Sequence, residues 1–280
     1  MTGSSADLAD WTIEDGEVTL DAPVTGVDIR VPGGSVTVAV ADGPPRVAVA
    51  DAVGGAVTVR HVGGLLTVRQ HGPEGVEAVD DIAGSLLAAF GLRPGGGRRA
   101  TVTVLVPTPV RVAVRTLGGE VMFSGLEEAT VDTVAGDVTI SRHRGSLRVA
   151  SINGAVQAAG IVGRVSATTV SGDVTIAGGD LAELRLHTVS GDAIVDVELR
   201  EGNHAFQSVS GNLALRMLAP AGFDLDATSV AGHLSCAVGT PVDVSRPGLR
   251  RLRATEGAGG AHFRSHTVSG DVAVLLGASS

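Results

Sequence analysis

The sequence predicts an all-β protein: a single elongated β-solenoid, or β-helix-like, repeat domain with short N-terminal strands and one amphipathic helix. Three observations predict it. The phrase TVSGDV occurs at residues 169–174 and again at 267–272, with near-copies between and before them. Successive copies are spaced by a drifting period near 19 residues, in the range of β-solenoids. Residues on both sides of each copy alternate apolar and polar with period two, the mark of a strand with one buried face.

Composition permits this fold and removes other classes. The chain has 280 residues, 44% hydrophobic and 18% charged, so a packed core is attainable and disorder is not expected. Aromatic residues are only 2%, with no Tyr and the single Trp11, so the core must be aliphatic. Forty Gly without a G-x-y period exclude collagen and indicate many turns. Net charge is −9 and all 21 basic residues are Arg. Without Lys there is no Schiff-base chemistry and no P-loop lysine. An acidic, aromatic-poor chain also lacks the charge and stacking platforms that nucleic acid requires. The lone Cys236 excludes an internal disulfide and a multi-Cys zinc site.

The first element is an N-terminal tail, residues 1–16. MTGSSADLADWTIEDGEV has neither a basic n-region nor an apolar h-region, so it does not read as a secretory signal. No apolar run approaches the ~20 residues that span a bilayer. The expected location is the cytoplasm, with envelope association through a partner.

Residues 17–99 follow as short strands continuous with the solenoid, forming its first layers or a lid. SVTVAV (35–40), RVAVA (46–50), AVTVR (56–60) and LLTVR (65–69) alternate between turn-forming PGG, DGPP and VGG segments. Their close spacing suggests hairpins or a small antiparallel sheet. A helical insertion is expected at 74–91, its core EGVEAVDDIAGSLLAAF (74–90). At about 100° per residue, Val79, Leu86 and Phe90 share one apolar face and the acidic residues oppose it. The helix is either a cap over open strand edges or an interaction element.

The solenoid proper is expected over 100–276, with a tail at 277–280. Its markers are Gly119, Gly136, Gly154, Gly172, Gly191, Gly211, Gly232 and Gly270, separated by 17, 18, 18, 19, 20, 21 and 38 residues. The last gap predicts a degenerate copy near Pro247–Leu249. Each Gly is expected to supply a positive φ at a sharp bend, with Ser or Asp bonding the freed backbone groups. The Val before it is expected to turn inward, and the marker glycines to line one edge.

The Asp after each Gly raises the question of chemistry. Asp137, Asp173, Asp192 and Asp271, with Glu120 and Asn212, would form one column along the stack. Such carboxylates could bind Ca²⁺ or act as an acid–base pair, as in polysaccharide-cleaving β-helices. Against this, Ala155 and His233 break the column, sugar-stacking aromatics are absent, and no G-G-x-G-x-D nonapeptide occurs. The favoured reading is that each Asp caps its own turn, with no catalytic residue, no cofactor and no metal. His187 and His266 lack metal-ligand spacing, Cys236 sits at an inward slot, and there is no G-x-S-x-G elbow. Arg246, Arg250, Arg251 and Arg253 read as a solvated loop.

VTVLVPTPVRVAVRTLGGEV (102–121) leading into serial TVSGDV-type rungs resembles a bacterial β-strand-repeat family known as putative adhesins, a domain of unknown function. The resemblance covers roughly 100–276, with 18–70 as weaker early strands. It implies a non-catalytic binding or scaffold protein associated with cell-envelope stress or regulation, whose partner is an unknown protein or envelope component. It transfers no catalytic residue. A carbohydrate-active β-helix using the Asp column is the alternative.

Overall fold

The computed structural model describes residues 8–70, 97–218, 222–257 and 260–277. Every regular element among them is a β-strand. The helix expected at 74–90, with Val79, Leu86 and Phe90, lies outside the described residues. The chain forms two compact units, residues 1–140 and 141–280.

The first unit contains β1 (Leu8–Ile13), β2 (Gly16–Thr19), β3 (Gly26–Val31), β4 (Gly34–Val40), β5 (Arg46–Val53) and β6 (Val57–Val62). It continues through β7 (Leu65–Gln70), β8 (Arg99–Val106), β9 (Arg111–Gly118), β10 (Glu120–Ser124), β11 (Glu128–Ala135) and β12 (Val138–Ser141), which ends at the boundary. Residues 8–13, expected in a tail, are therefore a strand, because LADWTI alternates and pairs antiparallel with β6.

Stacking does not follow chain order here. β3 lies parallel between β7 and β9, and β4 parallel between β8 and β10. The early rung β3–β4 is thus inserted between two later ones. Antiparallel strands then cover one end: β6 on β7, β1 on β6, β5 on β8 and β2 on β5. Covering removes open backbone edges that would otherwise recruit another chain.

The second unit begins with β13 (Arg144–Ser151) and two long bent strands, β14 (Val156–Thr169) and β15 (Val174–Thr188). After them come β16 (Ala193–Leu199), β17 (Gly202–Ser208), β18 (Leu213–Leu218), β19 (Gly222–Ser229) and β20 (Leu234–Cys236). The last four are β21 (Thr240–Asp243), β22 (Arg250–Gly257), β23 (Ala261–Thr267) and β24 (Val272–Gly277).

The 38-residue gap has its explanation here. There is no degenerate rung near Pro247–Leu249; that stretch is a turn in which Arg246 and Leu249 bridge each other. Instead the C-terminal rung β23–β24 returns and inserts itself. β23 is parallel to both β17 and β19, and β24 to both β18 and β20. β22 then closes the end antiparallel to β19, with β21 antiparallel to β22. Residues expected to be a solvated basic loop are partly a capping strand.

The core is aliphatic, as the composition demands. Val149, Ala167, Leu186, Phe206 and Ala227 share one inward column and are each at most 1% exposed. Ser265 joins the same column between Phe206 and Ala227 and is fully buried. Phe206, Phe223 and Phe263 supply the bulk that Val and Ala lack. At roughly 25 cal/mol per Å² of apolar surface, this repeated inward face is the main favourable term.

Candidate binding face

The TVSGDV corner can now be resolved letter by letter in the second unit. The leading Thr or Ser is buried: Ser151, Thr169, Thr188, Ser208, Ser229 and Thr267 are all at most 8% exposed. In all but Ser151, whose hydroxyl has no partner among the described residues, the side-chain oxygen holds the corner of its own rung. Thr188 Oγ1 accepts the Gly191 N–H at 2.9 Å and Ser229 Oγ the Gly232 N–H at 2.8 Å, while Thr169 Oγ1 donates to the Gly172 carbonyl at 3.0 Å. Sequence reasoning missed this role. The signal was present, since no copy lacks a hydroxyl at that position.

The following Val points outward, contrary to expectation. Val170, Val189, Val209, Val230 and Val268 are 42–50% exposed. The corner forces this, because the hydroxyl residue before it already occupies the inward direction and side chains alternate. The motif Ser then binds the rung beneath it. Ser190 donates both its N–H (2.9 Å) and its Oγ (3.3 Å) to the Val170 carbonyl, and Ser210 does the same to Val189.

The marker Gly works by absence of Cβ, not by positive φ. Among the eight, only Gly119 has φ in the left-handed region, at 107°. At Gly172 an added Cβ would lie 2.0 Å from the Gly154 carbonyl oxygen, and at Gly191 2.1 Å from that of Gly172. The stack continues with Gly211 on Gly191 and Gly270 on Gly211 at 2.0 Å, then Gly232 on Gly270 at 1.9 Å. In the first unit Gly136 meets the Gly119 oxygen at 2.0 Å. Within each unit the glycines stack one on the next, and they are there because backbones touch.

The Asp ladder also differs from the expected self-capping. Asp173 Oδ1 accepts the Asp192 N–H at 2.9 Å, and Asp192 Oδ1 accepts the Asn212 N–H at 2.9 Å and its Nδ2 at 3.0 Å. Asn212 Oδ1 accepts the Asp271 N–H at 2.9 Å, and Asp271 Oδ1 the His233 N–H at 2.6 Å. Each side chain therefore serves the next rung. His233 terminates the ladder instead of breaking it. In the first unit the main-chain carbonyl of Asp137 accepts the Val121 N–H of the preceding rung at 2.9 Å, as the Asp173 carbonyl accepts that of Val156 at 2.8 Å. Glu120 is exposed on β10 and Ala155 stands one residue past Gly154.

Other titratable groups are dispersed. Among the described residues, no group of three or more His, Cys, Asp or Glu is placed to hold a metal ion. Cys236 is half-buried because β20 has only three residues; burial raises its thiol pKa above the usual value. His204 is 1% exposed, with Nε2 2.9 Å from the Arg200 carbonyl, and burial lowers its pKa.

What the second unit presents to solvent is a sheet face on β13, the later arms of β14 and β15, β17, β23, β19 and β22. His187, Gln207, His266 and Thr228 form one outward column, with His266 Nδ1 2.6 Å from Thr228 Oγ1. Beside it a shallow groove of about 350 Å³ is lined by His187, Gln207, Val209, His266 and Val268 among others. Arg185 pairs with Glu183 at 2.5 Å, and Arg251 donates to Asp226 at 2.8 Å, holding that carboxyl below its usual pKa.

Parallel rungs, inserted end rungs and a hydrogen-bonded corner define a β-solenoid-like protein. Residues 76–275 match the family Toastrack DUF4097, whose name marks it as a domain of unknown function. The chain belongs to that family. No curated protein matches it significantly. A crystal structure of a putative cell adhesion protein from Clostridium sporogenes is similar at 7% identity and a TM-score of 0.24, over 96% of this chain and 99% of that one.

Proposed function

We infer that this is a non-catalytic binding or scaffold protein of the adhesin type, holding a protein or envelope component on the outward face of its second unit. One observation carries the reading: the repeated polar groups already serve the backbone. Catalysis needs at least two polar groups converging on a reacting atom. Asp173 and Asp192 instead each accept a backbone N–H of the next rung at 2.9 Å. The groups left to meet a partner are the columns of the outward face. The cytoplasmic location belongs to the same proposal, with the partner supplying any link to the envelope and its stress response.

The test is a photo-crosslinking residue introduced at Gln207 on this face, or at Thr175 on the other arm, in the cells the protein comes from. Adducts from Gln207 and none from Thr175 are expected. Adducts from neither position, or release of reducing sugar from a polysaccharide by the purified protein, would contradict the reading.

A further inference from the structure

Strand register gathers into one column four arginines that the sequence scatters. Arg148 pairs with Ser166, Ser166 with Arg185, and Arg185 with Ala205. Ala205 pairs with Arg264, Arg264 with Asp226, and Asp226 with Arg253. Arginine thus recurs on every second strand, with Ser, Ala and Asp between. Adjacent strands are ~4.8 Å apart, so the arginine stems leave the sheet about 9.6 Å from one another.

The charge of this face opposes that of the chain. The net charge is −9, yet this column, the His187 column and the next one along the strands, which carries Arg164, Glu183, His262 and Asp224, together hold six arginines (148, 164, 185, 251, 253 and 264) against three carboxylates, Glu183, Asp224 and Asp226. Arg164 and Arg185 share Glu183, and Arg251 and Arg253 share Asp226. Arg148 and Arg264 have no carboxylate partner among the described residues. Along one side runs the groove edged by exposed Val209 and Val268.

We propose that this face binds an acidic protein segment in the polyproline II conformation, lying across the strands with a carboxylate at every third residue. The proposal rests on the binding reading above and names the partner's chemistry. Polyproline II has three residues per turn and rises 3.1 Å per residue, so every third side chain returns to the same side after about 9.3 Å. That repeat matches two strands of the sheet. The guanidinium fork suits carboxylates, and the small Ser166 and Ala205 between Arg148, Arg185 and Arg264 leave room for them, whereas Asp226 already supplies the carboxylate beside Arg253. The segment's remaining residues, proline among them, lie in the groove against the two valines. An anionic bilayer fits less well, because Asp173, Asp192 and Asp271 stand on the far side of the valine row and would be repelled by it.

The test is fluorescence anisotropy of the full chain with a labelled Glu-Pro-Pro repeat peptide, against a Lys-Pro-Pro repeat and phosphatidylglycerol vesicles. The acidic peptide is expected to bind and the basic one not, with binding lost at high salt. Arg185→Ala with Arg264→Ala is expected to weaken it roughly tenfold. Arg60→Ala with Arg111→Ala, an equal charge change in the first unit, is expected to leave it unchanged. Absent peptide binding, equal loss in the two double variants, or binding to vesicles but not peptide overturns the proposal. If peptide binding fails while Gln207 adducts persist, only the partner's chemistry is wrong; if both fail, so does the binding reading.

Discussion

A single missing methyl group organises the corner. At Gly191, Ala would bring Cβ to 2.1 Å from the Gly172 carbonyl oxygen, and the obstacle is backbone that no rotamer can relieve. Gly178 is the useful contrast. Its φ is +67° and nothing lies within 4 Å of the same added atom. Gly178→Ala is therefore expected to cost about 1–2 kcal/mol, the left-handed penalty alone. Gly191→Ala is expected to cost about 3 kcal/mol or more, by overpacking against a neighbouring rung. Chemical denaturation of the two variants measures the difference, and equal costs would reject the stacked-glycine account. The sequence spelled out which residue had to be glycine and where it stood. It gave the wrong reason, since a bend and a close approach both select Gly, and only the neighbouring rung tells them apart. The outward Val170 and Val189 were missed for a related cause: periodicity shows alternation but not which phase survives a corner.

At the scale of elements, the rungs before and after each corner were legible because period two needs only local reading. Register was not. The order Gly211, Gly270, Gly232 reverses the chain, and no spacing rule reveals that a last repeat can return between two earlier ones. The consequence is testable. In a solenoid stacked in chain order, deleting the last repeat shortens the stack. Here deletion of residues 260–280 removes β23 from between β17 and β19, and β24 from between β18 and β20. Phe263 and Val274, both at most 1% exposed, go with them. The truncated chain is expected to lose the cooperative unfolding of the second unit altogether, followed by calorimetry as the loss of a transition. Retention of that transition with a modest drop in Tm would show that the end rung is dispensable.

For the molecule as a whole, repetition serves folding, and function is left to what the faces carry between repeats. The arginine column shows how far such a function lies from sequence reading: residues 148, 185, 264 and 253 have no common period, and topology alone aligns them. The Asp column, by contrast, was visible at once and invited a chemical reading. One oxygen of each of Asp173, Asp192 and Asp271 accepts an N–H of the next rung, a duty that Asn212 already performs with an amide. Replacing Asp173 and Asp192 together by Asn keeps an acceptor at each place, so the change in stability is expected to stay within about 1 kcal/mol. The most direct measurement is the melting temperature of the wild-type chain and of this double variant, each with and without millimolar Ca²⁺. The account predicts near-equal Tm values and no calcium-dependent rise in either protein. A rise in the wild type that the double substitution abolishes would contradict it, and would make the repeated carboxylates a site.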